Sequence, residues 1–270
     1  MAKELYKNIL KRLPAALSLA IFIFGVLYLK NIFLVLTLVI ASGFLLIKEW
    51  LLLSESKINL KQIIFFLTIV LFSIFYTKDF MDFFLLIISI FWFMYSFFLG
   101  TNKSSSLLSF DNNYLGALLV LSFVYGLIYL LVFSEFNNIN KFFVLFIILF
   151  NTVLADIGAY LVGSSIGKTP LFPEVSPNKT IEGLLGGIGF VAIFLSLIYF
   201  YNLISFDLIL VSLISLPFAF IGDYFESQLK RDKFLKDSGS LIPGHGGIWD
   251  RLDSHIAVVP IFISLTKLMA

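Results

Sequence analysis

Runs of apolar residues close to the ~20 needed to cross a bilayer recur along almost the whole of this 270-residue sequence. They cannot be packed into a water-soluble sphere, because only 13% of the residues are charged against roughly a quarter in a soluble domain. The hydrophobic share is 60% and the mean hydropathy is +1.01. In hydrocarbon every backbone N–H and C=O must be satisfied within the protein, so the runs predict helices. Spans are expected at 13–29, 31–47, 62–77, 82–100, 114–134, 142–162, 184–204, 206–222 and 255–270. The expected fold is therefore all-α: a polytopic membrane protein of about nine transmembrane helices with a polar cavity facing the cytoplasm. The 33 phenylalanines read as lipid-facing filler, and the absence of cysteine excludes disulfides, thiolate catalysis and cysteine-bound metal.

Orientation follows from where the positive charges fall. Residues 1–14 form a basic leader that runs straight into more apolar sequence with no small-residue cleavage site, so a retained first span is expected. With the N-terminus inside, only Lys30, Lys78, Lys141 and Lys267 of the nineteen Lys and Arg lie on outer segments. That bias predicts a multi-pass protein of the cell inner (plasma) membrane, with the N-terminus and the polar loops 163–183 and 223–254 all cytoplasmic. No convincing internal repeat of the kind many transporters carry is present.

Residues 223–254 hold 11 of the 36 charged side chains. The stretch opens with Asp223, Glu226, Ser227, Lys230 and Arg231, which helical spacing sets on neighbouring faces at a membrane boundary. Carboxylates, a hydroxyl and two cations there suit a metal and a phosphate; a solvated helix end with ion pairs is the plainer alternative. Lys236 and Asp237 lead on to Pro243-Gly244-His245-Gly246-Gly247, a turn whose N–H groups are able to form an anion-binding nest. Asp250-Arg251-Leu252-Asp253 follows at once. If that segment is helical, Asp250 and Asp253 are i,i+3 and offer the oxygen ligands that Mg²⁺ prefers. His245 is read as a hydrogen-bond donor to phosphate rather than a general base, although its ordinary pKa suits either.

The earlier loop contains Ser176-Pro177-Asn178-Lys179-Thr180-Ile181-Glu182-Gly183, two hydroxyls and an ammonium around a proline-stiffened turn at the start of a span. Helix N-termini bind anions. Gly183, Gly186, Gly187 and Gly189 then read better as close helix packing than as ligand contacts. Gly163–Thr169 looks like a phosphate-binding P-loop but is one residue short and follows a span rather than a strand. Asp156 sits inside the sixth span with Asn151 and Tyr160. An intramembrane carboxylate is costly and by default marks function, so Asp156 is placed in the same polar site.

These residues resemble one family. Ser227-x-x-Lys230-Arg231-x4-Lys236-Asp237-x-Gly239, then Pro243-Gly244-His245-Gly246-Gly247-x-x-Asp250-Arg251-x-Asp253, is similar to the signature of phosphatidate cytidylyltransferases, also called CDP-diacylglycerol synthases. Ser176-Pro177-x-Lys179-Thr180-x-Glu182-Gly183 and Asp156-x-x-x-Tyr160 resemble two further blocks of that family. The likeness covers roughly residues 150–255; the N-terminal half matches only in being hydrophobic. It implies transfer of the cytidylyl group of CTP to phosphatidate, with release of pyrophosphate, for phospholipid biosynthesis. It also implies Mg²⁺, with a second metal ion left open, held by Asp223, Asp250 and Asp253. Ser176, Lys179 and Thr180 are assigned to the CTP phosphates, and Lys230, Arg231, Lys236 and Arg251 to phosphatidate or pyrophosphate. Asp156, Glu182, Ser227, His245, Gly246 and Gly247 are expected to line the substrate site. The chain is accordingly divided into N-terminal membrane helices at 1–110 and a membrane catalytic region at 111–270. The expected partners are CTP, phosphatidate, the lipid bilayer and a second copy in a homodimer, with no nucleic acid. A CTP-dependent lipid kinase and a transporter of a phosphorylated solute are the competing readings.

Overall fold

The computed structural model describes residue 18 and residues 20–54, 78–99, 108–136, 139–173, 175–241 and 246–269. After a helical stretch at 20–28 come α1 (Ile32–Leu53), α2 (Lys78–Phe97), α3 (Asn113–Val132) and α4 (Lys141–Ile166). A short antiparallel hairpin, β1 (Pro170–Phe172) and β2 (Ser176–Thr180), leads into α5 (Ile181–Phe200). The chain ends with α6 (Phe206–Ser215), α7 (Pro217–Asp232) and α8 (Trp249–Met269). Among the described residues, seven helical segments are long and apolar enough to cross a membrane, α6 and α7 counting together as one. The protein is a multi-pass membrane protein. The expected third span, 62–77, lies outside the described residues, as do the basic leader and the start of the first span.

The helices begin where short polar side chains accept the otherwise orphaned N–H groups of a first turn. Asn31 caps α1, Asn112 caps α3, Asn140 caps α4, Thr180 caps α5 and Ser205 caps α6. Their ends depart from the hydropathy-drawn spans because hydrogen bonding, not apolarity, sets where a helix stops. The second span runs to Leu53 rather than 47, and the sixth to Ile166 rather than 162. The seventh starts at Ile181, three residues before the expected 184. The eighth breaks at Leu216, restarts on Pro217 at a helix N-terminus where the missing N–H costs nothing, and continues to Asp232. The last begins at Trp249 rather than 255, which places Asp250 and Asp253 inside its first turns.

Helix α8 is the hub. It packs against α2, α3, α4, α6 and α7, and is buried continuously from Ser254 to Ile263. Polar ties fix its neighbours: Lys267 pairs with Asp82 of α2 at one end, and Tyr95 of α2 donates to Gln228 of α7 at 2.7 Å. Trp92 and Tyr95 meet Phe225 edge-on at ring separations of 5.4 and 5.2 Å.

The most extensive helix pair is α4 with α5, and glycine makes it possible. A Cβ at Gly187 would stand 2.6 Å from the Ala155 carbonyl, and one at Gly183 2.8 Å from that of Ala159. The packing role expected for these glycines is shown at Gly183, Gly186 and Gly187 but not at Gly189, which has no described neighbour within 4 Å. Helix backbones approach this closely in membranes only over small residues. We predict that Gly187→Leu lowers stability by about 1–3 kcal/mol, the usual cost of overpacking. Gly189→Ala, which meets nothing within 4 Å among the described residues, should change it by less than about 0.5 kcal/mol. Thermal unfolding of the detergent-solubilised variants measures both.

Candidate active site

The hairpin β1–β2 is what joins the two polar loops. Phe172 packs on Tyr224 of α7 at a ring separation of 4.3 Å, with both residues buried, and this lays β2 across the polar end of α7. Lys179, on β2, forms an ion pair with Asp223 of α7. The same ammonium lies in the field of Asp253 on α8, Asp156 on α4 and Glu226 on α7. Burial pushes the Lys179 ammonium below the ordinary lysine range, against the opposing pull of those carboxylates. Residues from α4, β2, α7 and α8 thus meet around one cation.

A second cation closes the other side. Lys230 Nζ lies 2.5 Å from Glu226 one turn earlier and 2.6 Å from Asp250 Oδ1 on α8. Glu226 is 1% exposed, and its Oε1 has no hydrogen-bond partner among the described residues. Asp250 is fully engaged: its Oδ2 accepts the Ser238 N–H and the Gly247 N–H, both at 2.8 Å, and the Ser238 hydroxyl at 3.0 Å. Gly246 holds a φ of +81°, which suits glycine, and a Cβ there would strike the same oxygen of Asp250. The expected phosphate nest is therefore partly filled by the protein's own carboxylate. His245 lies outside the described residues.

Other expected site residues take several positions. Asp156 lies in the field of Lys179 and Arg251. Ser227 donates to Asp223 Oδ1 at 3.3 Å, and Asp253 Oδ1 accepts the Ser254 N–H at 2.6 Å. Thr180 Oγ1 accepts the Gly183 N–H at 3.1 Å, which leaves its own proton free to donate. Ser176 opens β2, half-buried. Glu182 turns away from the cluster and grips the hairpin base, accepting the Lys168 and Thr169 N–H groups and the Thr169 hydroxyl. Arg231 and Lys236 are exposed, and Arg231 donates to the Leu235 carbonyl at 3.3 Å.

Sequence reasoning missed one residue. Glu49, buried near the end of α1, accepts the Trp249 N–H at 2.8 Å from 200 residues away. Trp249 Nε1 donates to the Leu46 carbonyl at 2.8 Å, and its ring lies 5.0 Å from that of Trp50. The available signal was spacing: Leu46, Glu49 and Leu53 share one helix face, so a buried face had to take in a carboxylate.

The arrangement gathers Asp156, Asp223, Glu226, Asp250 and Asp253 around Lys179 and Lys230, with Arg251 at its edge. All the carboxylate donors are hard oxygens. Breaking a buried pair by removing one partner is far costlier than removing both. Lys230→Met should therefore cost about 3–5 kcal/mol of stability, and adding Glu226→Gln should recover part of the loss. Equal unfolding temperatures for the two variants would contradict this account of the Lys230 pairs.

Residues 10–269 match the model of a family described as the cytidylyltransferase family. The chain is 41% identical over 146 residues to a phosphatidate cytidylyltransferase of Bacillus subtilis (strain 168), a stretch covering 51% of this chain and 53% of that protein. It is 48% identical over 111 residues, 40% of this chain and 43% of the relative, to one of Staphylococcus aureus (strain COL). Identity to one of Aquifex aeolicus (strain VF5) is 36% over 138 residues, 51% and 52% of the two chains. The aligned chain spans about half the length of these curated relatives. The family match is wider: it runs through all eight labelled helices and both polar loops, and the chain belongs to the cytidylyltransferase family.

Proposed function

We propose that the protein is a phosphatidate cytidylyltransferase, a nucleotidyltransferase that joins CTP to phosphatidate and yields CDP-diacylglycerol and pyrophosphate. The observation that carries this reading is the meeting of the two motif loops at the Lys179–Asp223 pair, with Lys230 and Asp250 beside it. Both substrates are phosphates. A site that brings them together at a membrane boundary needs cations to screen them and carboxylates to organise those cations. The names of the relatives point the same way.

A phosphatidate oxygen attacks the α-phosphorus of CTP, a new P–O bond forms, and the bond to the β-phosphate's bridging oxygen breaks. The nucleophile is already ionised at neutral pH, so no side chain has to take a proton. Lys179, Ser176 and the Thr180 hydroxyl orient the CTP phosphates from the hairpin. Lys230, Arg231, Lys236 and Arg251 hold the lipid phosphate and the departing pyrophosphate. His245, Gly246 and Gly247 complete the phosphate contacts, and Asp156 holds Lys179 charged.

The donor chemistry suits Mg²⁺: hard carboxylate oxygens, and a buried Glu226 Oε1 without a partner among the described residues. Among the described residues no three such groups already converge, but Mg²⁺ uses only one or two carboxylates together with waters and substrate phosphates. One or two of Asp223, Asp250 and Asp253 would hold it beside waters and substrate phosphates, and the ion would neutralise phosphate charge. The polar loops face the cytoplasm, where CTP is found, in keeping with the positive-inside bias. The homodimer rests on the family resemblance alone.

Purified protein in detergent, with phosphatidate, Mg²⁺ and CTP labelled in turn at the α- and γ-phosphates, tests the reaction. The α-label should enter the lipid and the γ-label leave as pyrophosphate, and Asp250→Asn should reduce both by ~10²-fold or more. A γ-label in the lipid would replace this reading with a lipid kinase, and movement of neither label would refute it. A pH profile adds a second prediction. The Lys179 charge is present below its lowered pKa and lost as pH rises through it, so the alkaline limb should fall below the ordinary lysine value. Lys179→Arg, which stays charged, should move that limb upward.

A further inference from the structure

Glu49 lies far in sequence from every residue assigned to the reaction, yet its carboxylate is sealed against the residues that lead into α8 and Asp250. It is 7% exposed. Its Oε2 accepts the Trp249 N–H, the Ile248 N–H lies on the same carboxylate, and a Cβ at either Gly239 or Gly247 would land on Oε1. Two glycines, one on each strand of the loop, thus leave room for one carboxylate. The loop is otherwise held from inside by Asp250, which gathers Ser238 and Gly247. Glu49 and Asp250 therefore share the N–H groups at the start of α8. Those groups are orphans that must be satisfied in a low-dielectric setting.

A solvated tether would not need burial, and a packing residue would not need two acceptor oxygens. A carboxyl fixed on one side of the turn takes the Ile248 and Trp249 N–H groups, and with them sets the direction from which Gly247 reaches Asp250. We infer that Glu49 is a positioning residue of the site: by capping the start of α8 from α1, it fixes the glycine turn and the orientation of Asp250. The inference rests on the reaction proposed above for its kinetic arm only. It assigns the N-terminal helices a part in the chemistry that hydrophobicity alone does not reveal.

The test compares wild-type protein with Glu49→Gln and Glu49→Asp, each in detergent and each confirmed monodisperse. Residue-resolved hydrogen exchange reads the Ser238, Gly247 and Trp249 amides. If Glu49 merely caps α8, only Trp249 loses protection in Glu49→Gln. If it positions the turn, the Ser238 and Gly247 N–H groups, which are held by Asp250 while Glu49 takes only the Ser238 hydroxyl, also exchange at least tenfold faster. In the labelled-CTP assay, kcat should fall at least tenfold with the KM for phosphatidate changed less than threefold, and Glu49→Asp, which keeps the charge, should recover part of the loss. Unchanged Ser238 and Gly247 exchange with wild-type kcat would overturn the inference. Should the wild-type chain transfer no nucleotide, the proposed reaction fails and the exchange arm alone decides: faster Ser238 and Gly247 exchange supports the role of Glu49, and equal rates overturn it.

Discussion

The Asp250 carboxylate is the point on which the polar end of this molecule depends. In a low-dielectric setting a buried charge must be paired and its remaining lone pairs hydrogen-bonded. Asp250 meets both demands with Lys230 on one oxygen and Ser238 and Gly247 on the other. Satisfying one carboxylate thus ties α7 to α8 and brings Ser238 and Gly247 onto the same oxygen. Lys179 and Asp223 repeat the device on the opposite side, drawing the hairpin onto α7. The fold around these pairs is generic helix packing; the pairs decide which helices must be neighbours at the polar end.

This division explains what was legible in the sequence. Spans could be drawn because hydrocarbon leaves the backbone no alternative to helix. Their ends were misplaced where capping and proline, rather than apolarity, set the boundary, as at Thr180, Leu216–Pro217 and Trp249. The residues that assemble at the site could be named from charge in an apolar chain, since charges near a bilayer need reasons. Which charge meets which could not, because pairing is tertiary. Nothing in the sequence says that Lys179 pairs with Asp223, or that Glu182 spends its carboxylate on its own hairpin instead of facing the cluster. Glu49 escaped notice for a different reason. An acidic residue beside Lys48 at a span's end looks interfacial, and only the opposing glycines reveal that it is buried.

The site also shows why glycine is concentrated in two places. Along α4 and α5 it lets backbones approach, which sets the hairpin's base against Gly163 and Gly167 through Thr180. In the loop before α8 it leaves space for carboxylates. The first use is indifferent to charge; the second exists because of it. A substitution that fills either space is expected to perturb the site by a different route, one by moving a helix and the other by displacing an anion.

The Glu49–Trp249 contact has a consequence for how the chain is made. Domains and segments emerge from the ribosome N-terminus first, so α1 is complete long before the residue 200 positions later that will bond its carboxylate. The bond from the Trp249 N–H to Glu49 is therefore one the chain is able to make only after the start of α8 has emerged, and until then the Glu49 carboxylate must be satisfied by other means.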